Sequence, residues 1–154
     1  MADEEKLSIS DLGEYEAGEG IEVGEYEGTR VDIEGYEIIK VPQKYHPKTG
    51  VLSSTETYEV QKLKVFSKPV AEVEGKEGKK IQIRGSELFN LKLDDDDKWK
   101  VSTSPKASIN AFLTKLKLPV GLEGVKRIGE PGQSIVLKVT NNKVTGQDWL
   151  GFSY

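Results

Sequence analysis

Cations and aromatic rings recur at alternating positions in three stretches of this chain. Tyr36 and Lys40 stand in the first, Tyr58, Lys62 and Lys64 in the second, and Lys80, Gln82 and Arg84 in the third. Side chains two apart on a strand share a face, so three adjacent strands would merge these groups into a basic stripe with rings between the charges. The chemistry of such a stripe is non-covalent. Lysine and arginine pair with phosphates and release counterions, while exposed rings stack on nucleobases, worth roughly 1–3 kcal/mol each. Between the first two stretches, the irregular segment 42–50 adds Lys44, Tyr45, His46 and Lys48. A long irregular loop in a small domain is often a binding loop. The competing reading is a solvated sheet face, on which lysines also discourage edge-to-edge association.

Other chemically suggestive groups point away from catalysis. Trp99, flanked by Lys98 and Lys100, is either a further stacking residue or a ring packed over the start of a helix. The run Asp94, Asp95, Asp96 and Asp97 lacks the alternate spacing and the glycine of a calcium loop and reads as a solvated turn. His46 is the single histidine and there is no cysteine, so no metal site and no histidine-based triad is expected. The glycines around 129–132 lack the strand and spacing of a phosphate loop. With no paired-carboxylate motif, no activated nucleophile and no cofactor fingerprint, the expectation is a binding protein without a cofactor, not an enzyme.

The elements that would carry these groups follow from periodicity and punctuation. Alternation marks strands at 30–41, 57–69 and 79–91, with Leu63, Val65, Ile81 and Ile83 directed inward. In the first strand Val31 and Ile33 share one parity while Tyr36 and Ile38 take the other, and the change beside Gly35 predicts a bulge or a sharp bend. Ser104 as cap and Pro105 at the first position predict a helix over 105–117, stopped by Pro119. Its Ile109, Phe112, Leu113 and Leu116 form one apolar stripe. Ile135, Leu137 and Val139 mark a strand at 134–140. Asn141 and Asn142 signal a hairpin into a last strand at 143–154, where Leu150 and Phe152 share a parity with Tyr154 against Trp149.

Three strands, a helix and two strands is the element order of the OB-fold, a five-stranded Greek-key barrel. The expected fold is therefore mainly β, with the helix between strands 3 and 4 closing one end of the barrel and its stripe buried. A chain of 154 residues suffices for one such core.

Charge is distributed unevenly. Residues 1–28 hold ten acids and one base, net −9, whereas the remainder holds 21 bases and 16 acids, net +5. The division suggests an acidic, flexible N-terminal arm on a barrel domain at 29–154, with Ile21 and Val23 in either a short edge strand or an extended loop. Such an arm competes with nucleic acid for the basic face or recruits a protein partner; the alternative is a repelling tail that aids solubility. The start Met-Ala-Asp-Glu-Glu lacks the features of a secretory signal, and no apolar run approaches a membrane span. A cytoplasmic, intracellular location is the expectation.

Over residues 29–154, element order and the lysine–aromatic face make the chain resemble OB-fold single-stranded DNA-binding proteins of phages, archaea and archaeal viruses. The resemblance implies sequence-tolerant binding of single-stranded DNA in replication, repair or recombination, without distinguishing DNA from RNA. Several such proteins carry their acidic tail at the C-terminus, whereas here the acidic segment is N-terminal. The other function considered is a protein-interaction adaptor, in which the barrel is a scaffold and the acidic arm recruits.

Overall fold

Alternating apolar and polar side chains draw most of the chain into antiparallel strands, in a computed structural model that describes residues 23–141 and 146–154. A turn of 3-10 helix, Val23–Tyr26, leads into β1 (Arg30–Gln43) and β2 (Tyr58–Ser67). Then come β3 (Ala71–Glu74), β4 (Lys80–Ile83), β5 (Ser86–Asn90), β6 (Lys92–Leu93) and β7 (Trp99–Lys100). Two helices, α1 (Ser108–Lys115) and α2 (Leu122–Lys126), precede β8 (Ser134–Asn141) and β9 (Asp148–Phe152). The fold is mainly β, as expected. Five strands form one antiparallel sheet in the order β5-β2-β1-β8-β9, and β3–β4 and β6–β7 are separate two-stranded hairpins.

Strand β1 serves two neighbours. Its start pairs with β8, Val31 opposite Ile135, and its remainder pairs with β2 as far as Gln43 opposite Tyr58. The register shifts between Ile33 and Gly35, so the parity change at Gly35 is a bulge. Gly129 packs its backbone against this point: a Cβ there would lie 2.8 Å from the Glu34 carbonyl oxygen and 3.3 Å from Gly35 Cα. Its φ of 99° also suits only glycine.

The core lies on the sheet face that carries Val31, Ile33, Leu63, Val65, Phe89, Ile135, Leu137, Leu150 and Phe152. Helix α1 adds Ile109, Phe112 and Leu113. The Phe112 ring sits 5.2 Å from Phe89 of β5 and 5.6 Å from Phe152 of β9, so the helix packs across the two ends of the sheet. The apolar stripe is thus core, although Leu116, and Val139 of β8, are only partly buried.

Three expectations need correction. The stretch 79–91 is not one strand. It breaks at Arg84 and Gly85, where the Gly85 N–H donates to Ser67 Oγ and the Gly85 carbonyl accepts from the Ser67 N–H, both at 2.9 Å. Ile83 is buried, but Ile81, on the separate β3–β4 hairpin, is 42% exposed. The helix is also shorter than 105–117. Ser104 and Pro105 belong to a turn in which the Ala107 N–H donates to the Ser104 carbonyl at 3.1 Å. Ala107 is the cap, with no side-chain cap bond.

Buried Asn110 secures this region instead: its Nδ2 donates to the Ser102 and Ser104 carbonyls and its Oδ1 accepts from the Gly121 N–H. The helix stops before Pro119 because Lys117 turns left-handed, φ 62°, and the Leu118 N–H closes on the Leu113 carbonyl.

The third correction concerns the N-terminus. Val23 opens a helical turn rather than an edge strand or an extended loop, and Val23 and Tyr26 pack against the core. The Gly28 N–H donates to the Leu137 carbonyl and the Val139 N–H to Glu27 Oε2. The ordered body thus includes residues 23–28. The rest of the acidic arm, with Ile21, and the hairpin tip at 142–145 lie outside the described residues. Among the described residues, no helix is long and apolar enough to cross a membrane.

Candidate nucleic-acid interface

The loop between β1 and β2 folds back on itself as a small hairpin. Tyr45 forms an antiparallel bridge with Leu52, the Ser53 N–H donates to the Lys44 carbonyl, and the His46 N–H donates to the Val51 carbonyl. His46 organises the tip. Its Nδ1 accepts the N–H groups of Lys48 and Thr49 at 3.2 and 3.3 Å, which places the proton of the neutral imidazole on Nε2. The ring stands edge-on to Tyr58, centroids 5.0 Å apart. His46 is thus the loop residue that its isolation in the sequence suggested.

Beneath this loop a cleft of about 270 Å³ opens at the end of β2. Its floor is Val60, buried at 3% exposure but separate from the main core. Tyr45 and His46 wall it on one side and Trp99 on another, with Lys62, Asn90 and Gln43 completing the lining. The β6–β7 hairpin sets Trp99 in place by pairing it with Leu93, and Tyr45 remains 53% exposed. Among the described residues neither Lys62 nor Lys44 enters an ion pair. The cleft therefore joins two aromatic rings, an ammonium with no ion-pair partner among the described residues, and two carboxamides, of which Gln43 already donates through Nε2 to the Tyr45 carbonyl at 3.1 Å. It suits a planar heterocycle that carries an anionic group.

The strand register divides the rest of the expected stripe. Lys62 and Lys64 lie opposite Ile39 and Glu37, whereas Tyr36 and Lys40 lie opposite Val65 and Gln61. Residues directly opposite share a face, so Tyr36 and Lys40 are on the side away from Lys62 and Lys64. The bulge at Gly35 resets the parity of everything after it. Carboxylates occupy most of the remaining cations: Lys40 faces Glu59 at 3.7 Å, Lys64 faces Glu37 at 4.0 Å and Lys80 faces Glu72 at 3.6 Å.

Arg84 pairs with Glu34 and donates to Gln82 Oε1 and the Ser67 carbonyl, which makes it a clasp at the sheet break. The Tyr58 hydroxyl donates to Glu56 at 2.8 Å, and that bond raises its pKa above the ordinary phenol value. Of the ten residues expected at the site, Tyr45, Lys62 and Trp99 line the cleft. Tyr58 backs it through His46, and Lys44 stands at the loop base.

Sequence reasoning missed Gln43 and Asn90, whose residue types carry no signal, and one contact between loops. Lys48 Nζ bonds Asp97 Oδ1, joining the β1–β2 loop to the β6–β7 hairpin beside the cleft. The four aspartates form the tip of that hairpin, where the Asp97 N–H closes on the Asp94 carbonyl, in keeping with the turn expected there. Lys100 pairs with Asp94 and Asp96; its hydrogen bond holds the Asp94 carboxyl below the usual range, and Asp94 in turn raises the Lys100 ammonium. Among the described residues, no group of three or more histidines and carboxylates is placed to hold a metal ion. No protein-family model, curated protein or solved structure matches the chain.

Proposed function

We propose that the chain is an OB-like partly open barrel that binds single-stranded nucleic acid, DNA in the first instance, with little sequence preference, and that its role is binding rather than catalysis. The architecture supports the barrel reading. The first strand is central and pairs with the second and fourth, the third and fifth strands of the main sheet stand at its ends, and two helices, α1 and α2, fall between the third and fourth. In such barrels the second and third strands and the loop after the first are the usual oligonucleotide surface. The cleft lies in that region. Architecture alone does not specify function; the observation that carries the proposal is the convergence on one cleft of Tyr45, Trp99 and Lys62, the last without an ion pair among the described residues.

Titration with labelled oligonucleotides, single-stranded against duplex at two salt concentrations, tests it. Preference for the single strand, weakening as salt rises and accompanied by a change in tryptophan emission, is the expected result. A second reading, the protein adaptor, draws on Val51 and Leu52, 64% and 61% exposed on the returning arm of the β1–β2 loop. It takes over if the protein ignores oligonucleotides at low salt.

A further inference from the structure

The walls of the cleft are joined by the ion pair between Lys48 and Asp97. Lys48 lies between Pro47 and Gly50, both of which line the cleft, and Asp97 lies two residues before Trp99 on the opposite wall. Resting on the proposed function, we infer that the Asp97 carboxylate holds the place of a nucleic-acid phosphate on Lys48. An incoming strand displaces it, recruiting Lys48 as a phosphate ligand and freeing the two walls to part around a base.

Several observations lead there. The loop that presents Lys48 is preorganised, because the Lys48 N–H is one of the two bonded to His46 Nδ1. The ammonium therefore projects from a fixed backbone. Its pKa is raised, first by the hydrogen bond it donates to Asp97 and then by the charges of Asp97, Asp95 and Asp94. The carboxylate is 79% exposed, and an exposed pair is weakly held and screened by salt. A phosphate offers the same bond with more charge, and one already tethered by a base in the cleft and a neighbour on Lys62 arrives at high local concentration.

Asp97→Asn tests the exchange. Asp97 has φ 60°, a conformation that asparagine tolerates well, so the turn survives the substitution. With single-stranded oligonucleotide at low salt, D97N should bind about 3–10-fold more tightly than the unsubstituted protein. A freed Lys48 should also steepen the slope of log K against log salt by up to about 0.7, the share of one phosphate on a single strand. In a Lys48→Ala background, Asp97→Asn should change nothing. Persistence of the gain there would mean general repulsion by the acidic tip and would overturn the inference. Equal affinity and slope for D97N and the unsubstituted protein would also overturn it while leaving the proposed function intact. Failure of both proteins to bind any oligonucleotide would remove the proposed function and the inference together.

Discussion

Glu87 Oε1 accepts a hydrogen bond from the backbone N–H of Phe152 at 3.1 Å. The first residue belongs to β5 and the second to β9, the two ends of the five-stranded sheet. A side chain thus provides at this point a bond that a closed sheet would make between backbones. Gly151 permits it, since a Cβ at that position would strike the Glu87 carboxylate. Phe112 spans the same seam from inside, between Phe89 and Phe152. Tyr154 stands nearby; burial, and secondarily the Glu87 charge, raise its phenol pKa.

The seam should respond to pH in a defined direction. Burial raises the Glu87 carboxyl above the ordinary range, although the Phe152 N–H and Lys138 pull it down. The folded protein then holds this proton more tightly than the unfolded chain. The Glu87 contribution to stability is lowest above the raised value and recovers as pH falls toward the unfolded value. Glu87→Gln keeps the acceptor without the charge, so it should be at least as stable as the parent near pH 7 and lose the acid-side recovery. Glu87→Ala strands the Phe152 N–H and should cost about 1–3 kcal/mol. Urea unfolding at pH 7 and pH 5 reads both; an alanine variant of parental stability would show that the bond carries no weight.

A second prediction concerns the break at Gly85. A Cβ there would fall against Leu137 and Phe152, both at most 2% exposed and so unable to yield toward solvent. Gly85→Ala should destabilise the fold by about 1–3 kcal/mol through overpacking. Gly78→Ala, whose Cβ meets nothing but whose φ is 73°, should lose stability only through backbone strain. Thermal unfolding of the two variants separates crowding from strain. Equal packing on both sides of Gly85, with no loss in the alanine variant, would contradict the tight seam.

What the sequence disclosed and what it hid follow from the same break. Period-two alternation was enough to find β1, β2, β8 and β9, and the spacing of Ile109, Phe112 and Leu113 was enough to find α1, because each pattern is local. Ile81 and Ile83 share a parity with Phe89 across Gly85 and Glu87, and that spacing does not show that Ser67 captures the Gly85 backbone and sends β4 and β5 to different sheets. The basic stripe failed for a related reason. Tyr36 was correctly placed on a new parity after Gly35, but which face of β2 that parity joins is a property of strand pairing, and the register sets it opposite Val65. Tyr45, Lys62 and Trp99 were legible by type as rings and a cation. Their meeting in one cleft depends on the loop architecture that His46 holds, and no spacing rule encodes that.

The cleft residues should separate by mechanism. Lys62→Ala should weaken binding to all single-stranded sequences alike and flatten the salt dependence of log K by about 0.7. Trp99→Ala and Tyr45→Ala should each cost roughly 1–3 kcal/mol of binding while leaving that slope nearly unchanged. Tyr36→Ala and Lys40→Ala, on the opposite face, should have little effect. Oligonucleotide titrations at several salt concentrations decide the matter, and a large effect of the opposite-face pair would move the interface to that side.

The acidic N-terminal segment should act on the same site through charge. Residues 1–22 hold eight acids and Lys6, net −7, so their removal takes the chain from −4 to +3. Residues 23–28 are different: they bring the packing of Val23 and Tyr26 and the bonds from Gly28 to Leu137 and from Val139 to Glu27. A chain starting at residue 23 should therefore keep its stability, and one starting at residue 29 should lose part of it. If the acidic segment competes with phosphates, the chain starting at residue 23 should bind single strands more tightly at low salt. The gain should shrink as the screening length falls to about 10 Å at 0.1 M salt. Unchanged affinity at low ionic strength would reject the competitor role and leave protein recruitment or solubility as the work of the segment.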